Sequence, residues 1–240
     1  MPYFSYTQFQ LGSITIYIWG FLVGLAFIVG YWLALKEAER KGIDQNKIFW
    51  LAILIFAASI SMARLGYFLQ FGTNGLMFYG GLFGTLIVSW FYIRKNKLNF
   101  LKIADTLMPS VALGLFIGRI GCFLIKDHPG TITNLPWAIQ WPDGILRHPV
   151  ALYLLINGLI MFLVFWFLRN RLQKHGQLFI IFLIWYSTVR FLLESTRIGE
   201  LQYFGLFTNQ WISIFVFVYG IILLCKMYGI VFQLKKHFRN

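Results

Sequence analysis

Residues 150–168 read VALYLLINGLIMFLVFWFL, a stretch with no charged side chain and with Asn157 as its only amide. At about 1.5 Å per residue a helix of this length covers roughly 28 Å, close to the thickness of a bilayer's hydrocarbon core. Arg147-His148-Pro149 stands immediately before it, and Arg169, Arg171 and Lys174 follow it. An apolar run closed by polar ends is the form of a membrane-spanning helix. Working outward, further runs lie at roughly 13–35, 48–70, 76–93, 103–125, 176–195 and 211–232, each near the about 17–25 residues that a span requires. The fold expected is all-α: a polytopic integral membrane protein with seven transmembrane helices. Its third segment is the shortest, and Tyr79-Gly80-Gly81 at its start marks a candidate broken or re-entrant element.

Composition agrees with this reading. Of 240 residues 59% are hydrophobic and 20% aromatic, and the mean hydropathy is +0.69. Such a chain is neither a disordered tail, a secreted disulfide scaffold nor an ordinary soluble enzyme. One transmembrane domain over 1–240 accounts for the whole length, with 126–149 as a structured outer-face loop. Cys122 and Cys225 have no metal-ligand spacing and give no support for a disulfide. Met1 to Thr15 lacks the basic leader and small-residue cleavage signal of a removable signal peptide.

The net charge of +13 would point to nucleic acid in a soluble protein. Here the charges follow a membrane pattern. Fifteen of the 21 basic residues fall in the links after the first, third and fifth spans and at the C-terminus, from Lys36 to Arg239. The positive-inside rule then places the N-terminus outside and the C-terminus in the cytoplasm, which requires an odd number of spans. Nucleic-acid binding is not expected, and no nucleotide-binding or structural-metal motif or cofactor follows from the sequence.

Six basic residues remain: Arg64, Arg119, Lys126, Arg147, Arg190 and Arg197. An ionised side chain at mid-helix costs about 2.5–3.5 kcal/mol on insertion scales, so those inside apolar runs need a partner, an aqueous cavity or a headgroup. Arg64 has a plain alternative in snorkelling to the interface. Arg190 and Glu194 are four apart and share a helix face, with Arg197 at the next turn. That set is either a structural ion pair or, since two arginines outnumber one carboxylate, an anion site. Arg119 lies between Gly118 and Gly121, which permit close approach of a helix or ligand. Asp127 and His128 follow near Pro129, and His148 precedes Pro149 at the expected outer entrance of helix five. His148 is a candidate proton relay, or else a hydrogen-bonded cap. His175 and His237 fall on the cytoplasmic side, away from an outward-facing site.

Gly118-Arg119-Ile120-Gly121-Cys122-Phe123 resembles the core signature of the bacterial prolipoprotein diacylglyceryl transferases. The likeness extends through Tyr17 to Gly20, Arg64-Leu65-Gly66-Tyr67, Phe78-Tyr79-Gly80-Gly81, and Arg147-His148-Pro149 with Leu152-Tyr153. Tyr186, Arg190, Glu194 and Arg197 follow the pattern of the sixth helix. The family's pattern has Asn where this chain has Cys122 and Ile125, Glu where it has Asp127, and frequently His where it has Tyr79.

The resemblance implies an enzyme of the bacterial cytoplasmic membrane that transfers the diacylglyceryl group of phosphatidylglycerol to the lipobox cysteine of a secreted prolipoprotein. The products are a thioether and glycerol phosphate. Its partners would be phosphatidylglycerol, the signal peptide with its lipobox cysteine, and membrane lipids, and it would act as a monomer. On this reading Arg119 and Arg190 hold the phosphate, and Glu194 orients Arg190 or Arg197. His148 is the preferred general base, with Asp127 or Tyr79 as rivals. Arg64, Tyr79, Gly80, Gly81, Gly118, Gly121, Arg147, Tyr186 and Arg197 line the substrate site. The alternatives are a non-catalytic lipid-binding or anion-transport protein, or a paralogous transferase with another lipid substrate.

Overall fold

A computed structural model describes residues 1–127, 129–198 and 202–229 of the chain. Among these residues it has seven α-helices and three small antiparallel hairpins. The first hairpin pairs β1 (Gln8–Leu11) with β2 (Ile14–Tyr17), with Leu11 opposite Ile14 and Gln8 opposite Tyr17. Gly12 turns the chain at a φ of 63°. The β-branched run Ile14-Thr15-Ile16 favours the extended state. The first span, expected from residue 13, therefore begins later, as helix α1 (Ile18–Arg40).

Helix α2 (Gln45–Phe71) starts where the Asp44 carboxylate accepts the Asn46 N–H, and ends at Gly72 in the left-handed conformation. Helix α3 (Phe78–Lys95) is regular from its first residue, so Tyr79-Gly80-Gly81 forms an ordinary helical turn and not a broken element. Helices α4 (Phe100–Ile125), α5 (Val150–Leu168), α6 (Gln177–Glu194) and α7 (Thr208–Met227) complete the set. Six helices are long and apolar enough to cross a membrane. The exception is α3, whose 18 residues end in Arg94 and Lys95. Between α4 and α5 stand β3 (Ile139–Gln140) and β4 (Leu146–Arg147), and between α6 and α7 stand β5 (Gln202–Tyr203) and β6 (Leu206–Phe207).

Polarity is arranged for lipid. Leu69, Phe78 and Phe215 are each more than 70% exposed, while Glu194, Ser187, Gln210 and Ser213 are buried. In water such an apolar exterior would aggregate; against acyl chains it is matched. The chain divides into two compact units. Tyr31–Leu107 has a core of Ala34, Ala38, Ile48, Leu51, Ile93 and Ile103. The other comprises Met1–Gly30 and the chain from Met108 onward, and its helices meet through small residues and buried polar bonds. A Cβ on Gly158 would lie 2.8 Å from the Phe116 nitrogen, so α5 and α4 touch backbone to backbone there. Trp185 donates to Asn157 across α6 and α5 at 2.9 Å, which gives the lone amide of the α5 run a partner.

Candidate active site

The C-terminal end of α6 gathers charge. Glu194, fully buried, receives Arg190 at 3.2 Å on Oε2 and Arg197 at 3.4 Å on Oε1. The Arg190 contact is an ion pair lying outside hydrogen-bond geometry. Asn209, at the start of α7, donates Nδ2–H to Oε1 at 2.8 Å. The i,i+4 and i,i+3 spacings expected for Arg190, Glu194 and Arg197 thus place all three on one face. Arg190 also interacts electrostatically with Tyr186, one turn earlier, and with Arg119 of α4. Tyr186 is itself stacked on Phe182, with ring centroids 5.4 Å apart. Two guanidinium groups thus share the carboxylate of Glu194, and the charge of Arg119 acts on Arg190 from α4.

Arg119 is half-buried on α4, and its Nη1 lies 4.0 Å from the Cys122 sulfur one turn later. Gly121 lets α1 approach, with the Trp19 Cα 3.4 Å from where a Cβ would sit; the space beside Gly118 is open. Beyond α4, a cleft is lined by Cys122, Lys126, Asp127, Trp141 and His148, among others. Asp127 closes the helix end by donating its backbone N–H to the Cys122 carbonyl. Lys126 adopts a left-handed φ of 57° and is buried. Its ammonium lies 3.4 Å from the Phe4 ring centroid and 3.9 Å from that of Phe123. Burial pushes its pKa down to about 8.

The loop after α4 ties these parts together. Thr131 donates its N–H to the Thr196 carbonyl just beyond α6 and accepts from the His148 N–H, while Thr133 donates to Leu146. Gly130 bridges to Arg197, and Ile132 to Arg147. The segment 129–133 is therefore a strand-like clasp between the Glu194–Arg197 cluster and the Arg147-His148 segment. A Cβ on Gly130 would collide with the His148 carbonyl oxygen and lie 2.8 Å from the His148 Cβ. Only glycine allows this approach. Arg147 turns to Asp143 of its own hairpin at 2.7 Å, and this bond holds the Asp143 carboxyl below the usual carboxylate range.

In the other unit, Arg64 is exposed on α2 and Tyr79 is half-buried on α3. A Cβ on Gly80 would collide with the Met62 carbonyl, and one on Gly81 would lie 3.2 Å from the Ser59 carbonyl. These glycines thus let α3 lie on α2, which brings Tyr79 to the level of Arg64 along that pair. His128 and Glu200 lie outside the described residues, as do Lys235, Lys236, His237 and Arg239.

Sequence reasoning missed Gly130, Tyr153 and Asn209 as site-building residues. Gly130 read as one more loop glycine. Asn209, a polar residue opening an apolar helix, was the available signal for a buried partner. Tyr153 belonged to the Arg-His-Pro neighbourhood, but its hydroxyl contacts are tertiary.

Comparison with known proteins bears directly on this constellation. The family model described as prolipoprotein diacylglyceryl transferase matches residues 7–226. A phosphatidylglycerol–prolipoprotein diacylglyceryl transferase of Finegoldia magna is 34% identical over 235 residues, covering 91% of this chain and 94% of that protein. One of Geobacillus kaustophilus is 33% identical, covering 89% of each. One of Aliivibrio salmonicida is 34% identical, covering 88% of this chain and 81% of its own. The matched region contains every arginine of the charge cluster and both sides of the clasp, and this chain belongs to the prolipoprotein diacylglyceryl transferase family.

Proposed function

We propose that this protein transfers the diacylglyceryl group of phosphatidylglycerol to the lipobox cysteine of a prolipoprotein. The observation that supports the residue assignment is the pair of arginines, Arg190 and Arg197, that share the buried carboxylate of Glu194, with the charge of Arg119 acting on Arg190. A phosphodiester is an anion that guanidinium groups arranged in this way hold through forked, charge-assisted bonds. In the reaction the acceptor thiol loses its proton, sulfur bonds to the terminal glyceryl carbon, and the bond from that carbon to the phosphate oxygen breaks. Glycerol phosphate leaves with the electron pair. Forked guanidinium bonds from Arg119 and Arg190 stabilise the charge that grows on the leaving phosphate. Glu194, held by Asn209, keeps Arg190 and Arg197 in place. The thiol proton goes to His148 or Asp127, which share the cleft beyond α4. Gly118, Gly121 and Tyr186 shape the donor site beside the two arginines. The nucleophile belongs to the substrate, so the protein's work is to place thiol and lipid together and to stabilise charge.

The charge pattern supports an N-terminus outside and a C-terminus in the cytoplasm of a bacterial cytoplasmic membrane. The clasp and cleft then face the outer side, where a translocated signal peptide presents its cysteine. The test is incubation of the purified protein in phosphatidylglycerol liposomes with a synthetic lipobox peptide, read by mass spectrometry. A diacylglyceryl thioether on the peptide is expected. Lipid binding without product, beside an active relative as control, would point to a different donor or a non-catalytic lipid-binding role.

A further inference from the structure

His148, which lines the cleft beyond α4, ends a hydrogen-bond chain whose direction can be worked out from donor counting. Trp137 Nε1 lies 2.8 Å from the Tyr153 hydroxyl, and that hydroxyl lies 3.1 Å from His148 Nδ1. An indole nitrogen only donates, so the Tyr153 oxygen accepts from Trp137. The phenolic proton then needs an acceptor, and His148 Nδ1 is its sole candidate among the described residues. If Nδ1 instead carried the ring proton, the hydroxyl would accept twice and leave its own proton unused in a half-buried site.

We infer that Tyr153, set by Trp137, is a positioning residue that fixes neutral His148 as the tautomer with its proton on Nε2, making His148 a hydrogen-bond donor to an anionic oxygen of the donor lipid's phosphate. Three observations favour this use. Nε2 has no partner among the described residues, so it is the ring's free hydrogen-bonding atom. His148 lines the same cleft as Cys122, whose sulfur lies 4.0 Å from the Arg119 guanidinium, so a phosphate held in that cleft has an arginine close by. Gly130 and Thr131 hold the His148 backbone, and Tyr153 meets its ring edge-on at a centroid distance of 6.0 Å, so the ring's place in the cleft is set. The inference rests on the transferase reading and sharpens it: a ring already protonated at Nε2 and capped at Nδ1 is a poor proton acceptor. The thiol proton is then left to Asp127, which lines the same cleft.

The test is nitrogen NMR of histidine-labelled protein in lipid nanodiscs at about pH 8, where an ordinary imidazole is neutral. The His148 signal is assigned by its loss in H148Q. Protonated Nε2 with unprotonated Nδ1 is expected in the wild type, and Y153F should give a mixture of tautomers. A neutral wild-type ring protonated at Nδ1 overturns the inference, and this readout needs no variant to fold beyond the one used for assignment. Activity is a second arm. The Gln amide N–H in H148Q reaches near the place of Nε2–H and should keep turnover within about tenfold of wild type, whereas H148L, which offers no donor, should lose about a hundredfold or more. Equal loss in both variants, or no loss in either, contradicts a donor role. Thioether formation by the wild type is measured in the same preparation, so a wrong tautomer and a wrong reaction give separate results.

Discussion

Glu194 is the residue on which the cluster turns. It is fully buried and serves Arg190, Arg197 and Asn209 together. Removing one partner of a buried ion pair leaves the other charge uncompensated, at a cost of about 3–5 kcal/mol. E194L should therefore lower the thermal midpoint and the folded yield sharply. E194Q, which can still accept from Asn209, should lose less stability but hold Arg190 less firmly. Equal midpoints for E194L and wild type would remove Glu194 from the account. Lys126 gives a pH prediction. Its pKa falls from the usual 10.5 to about 8 because burial disfavours the charged form. The folded state gives up this proton before the unfolded state does, so the charge penalty is full below about pH 8 and is relieved as pH rises toward 10.5. Relative to K126M, the wild-type midpoint should climb across that interval and stay level below it. A difference independent of pH would contradict the assignment. The arginine and glutamate positions were legible in the sequence because charges inside apolar runs stand out and helix spacing is fixed. The role of Gly130 was not, since its meaning depends on His148, 18 residues later, and on Arg197, 67 residues later.

At the level of elements, helix contacts depend on small residues and a few polar bonds, as expected where the lipid is as apolar as the side chains. Trp185 and Asn157 join α6 to α5. W185F should cost about 0.6 kcal/mol and at most roughly 1.7, the range found for interhelical hydrogen bonds in membranes. Calorimetry or steric-trap unfolding in micelles would measure this, and a much larger loss would mean that the bond does more than join two helices. Gly158 should tolerate no side chain, because its backbone meets that of Phe116. The spans themselves were readable from apolar run length. The start of α1 was not, because Ile14 to Tyr17 is as apolar as a helix but pairs with β1 as a strand. The glycines of α3 had drawn attention as a possible break; their use in packing on α2 becomes visible only once α2 is present.

For the whole molecule, the charge pattern predicts an orientation, N-terminus outside and C-terminus in the cytoplasm, that labelling can test. Single cysteines at Asn96 and Asn170, in a background without Cys122 and Cys225, should react with an impermeant thiol reagent only after the membrane is opened. A cysteine at Gly144 should react in intact spheroplasts. The reverse pattern would turn the clasp and cleft toward the cytoplasm, away from secreted prolipoproteins. Family membership and the number of helices were accessible from sequence, since both rest on motif order and hydropathy. The meeting of α7 and the 129–133 segment with the end of α6 around Glu194 is a tertiary fact, to which only the α6 spacing gave a sequence clue.

The central claim is that Arg119 and Arg190 stabilise the departing phosphate. It is tested most directly by single-turnover thioether formation in R119K, R119A, R190K and R190A at saturating phosphatidylglycerol, with folding checked by thermal melting. The account predicts folded proteins whose chemical step falls by about a hundred- to a thousandfold in the alanine variants, with partial recovery in the lysine variants, which keep the charge but lose the fork. A chemical step unchanged in folded R119A and R190A would contradict it.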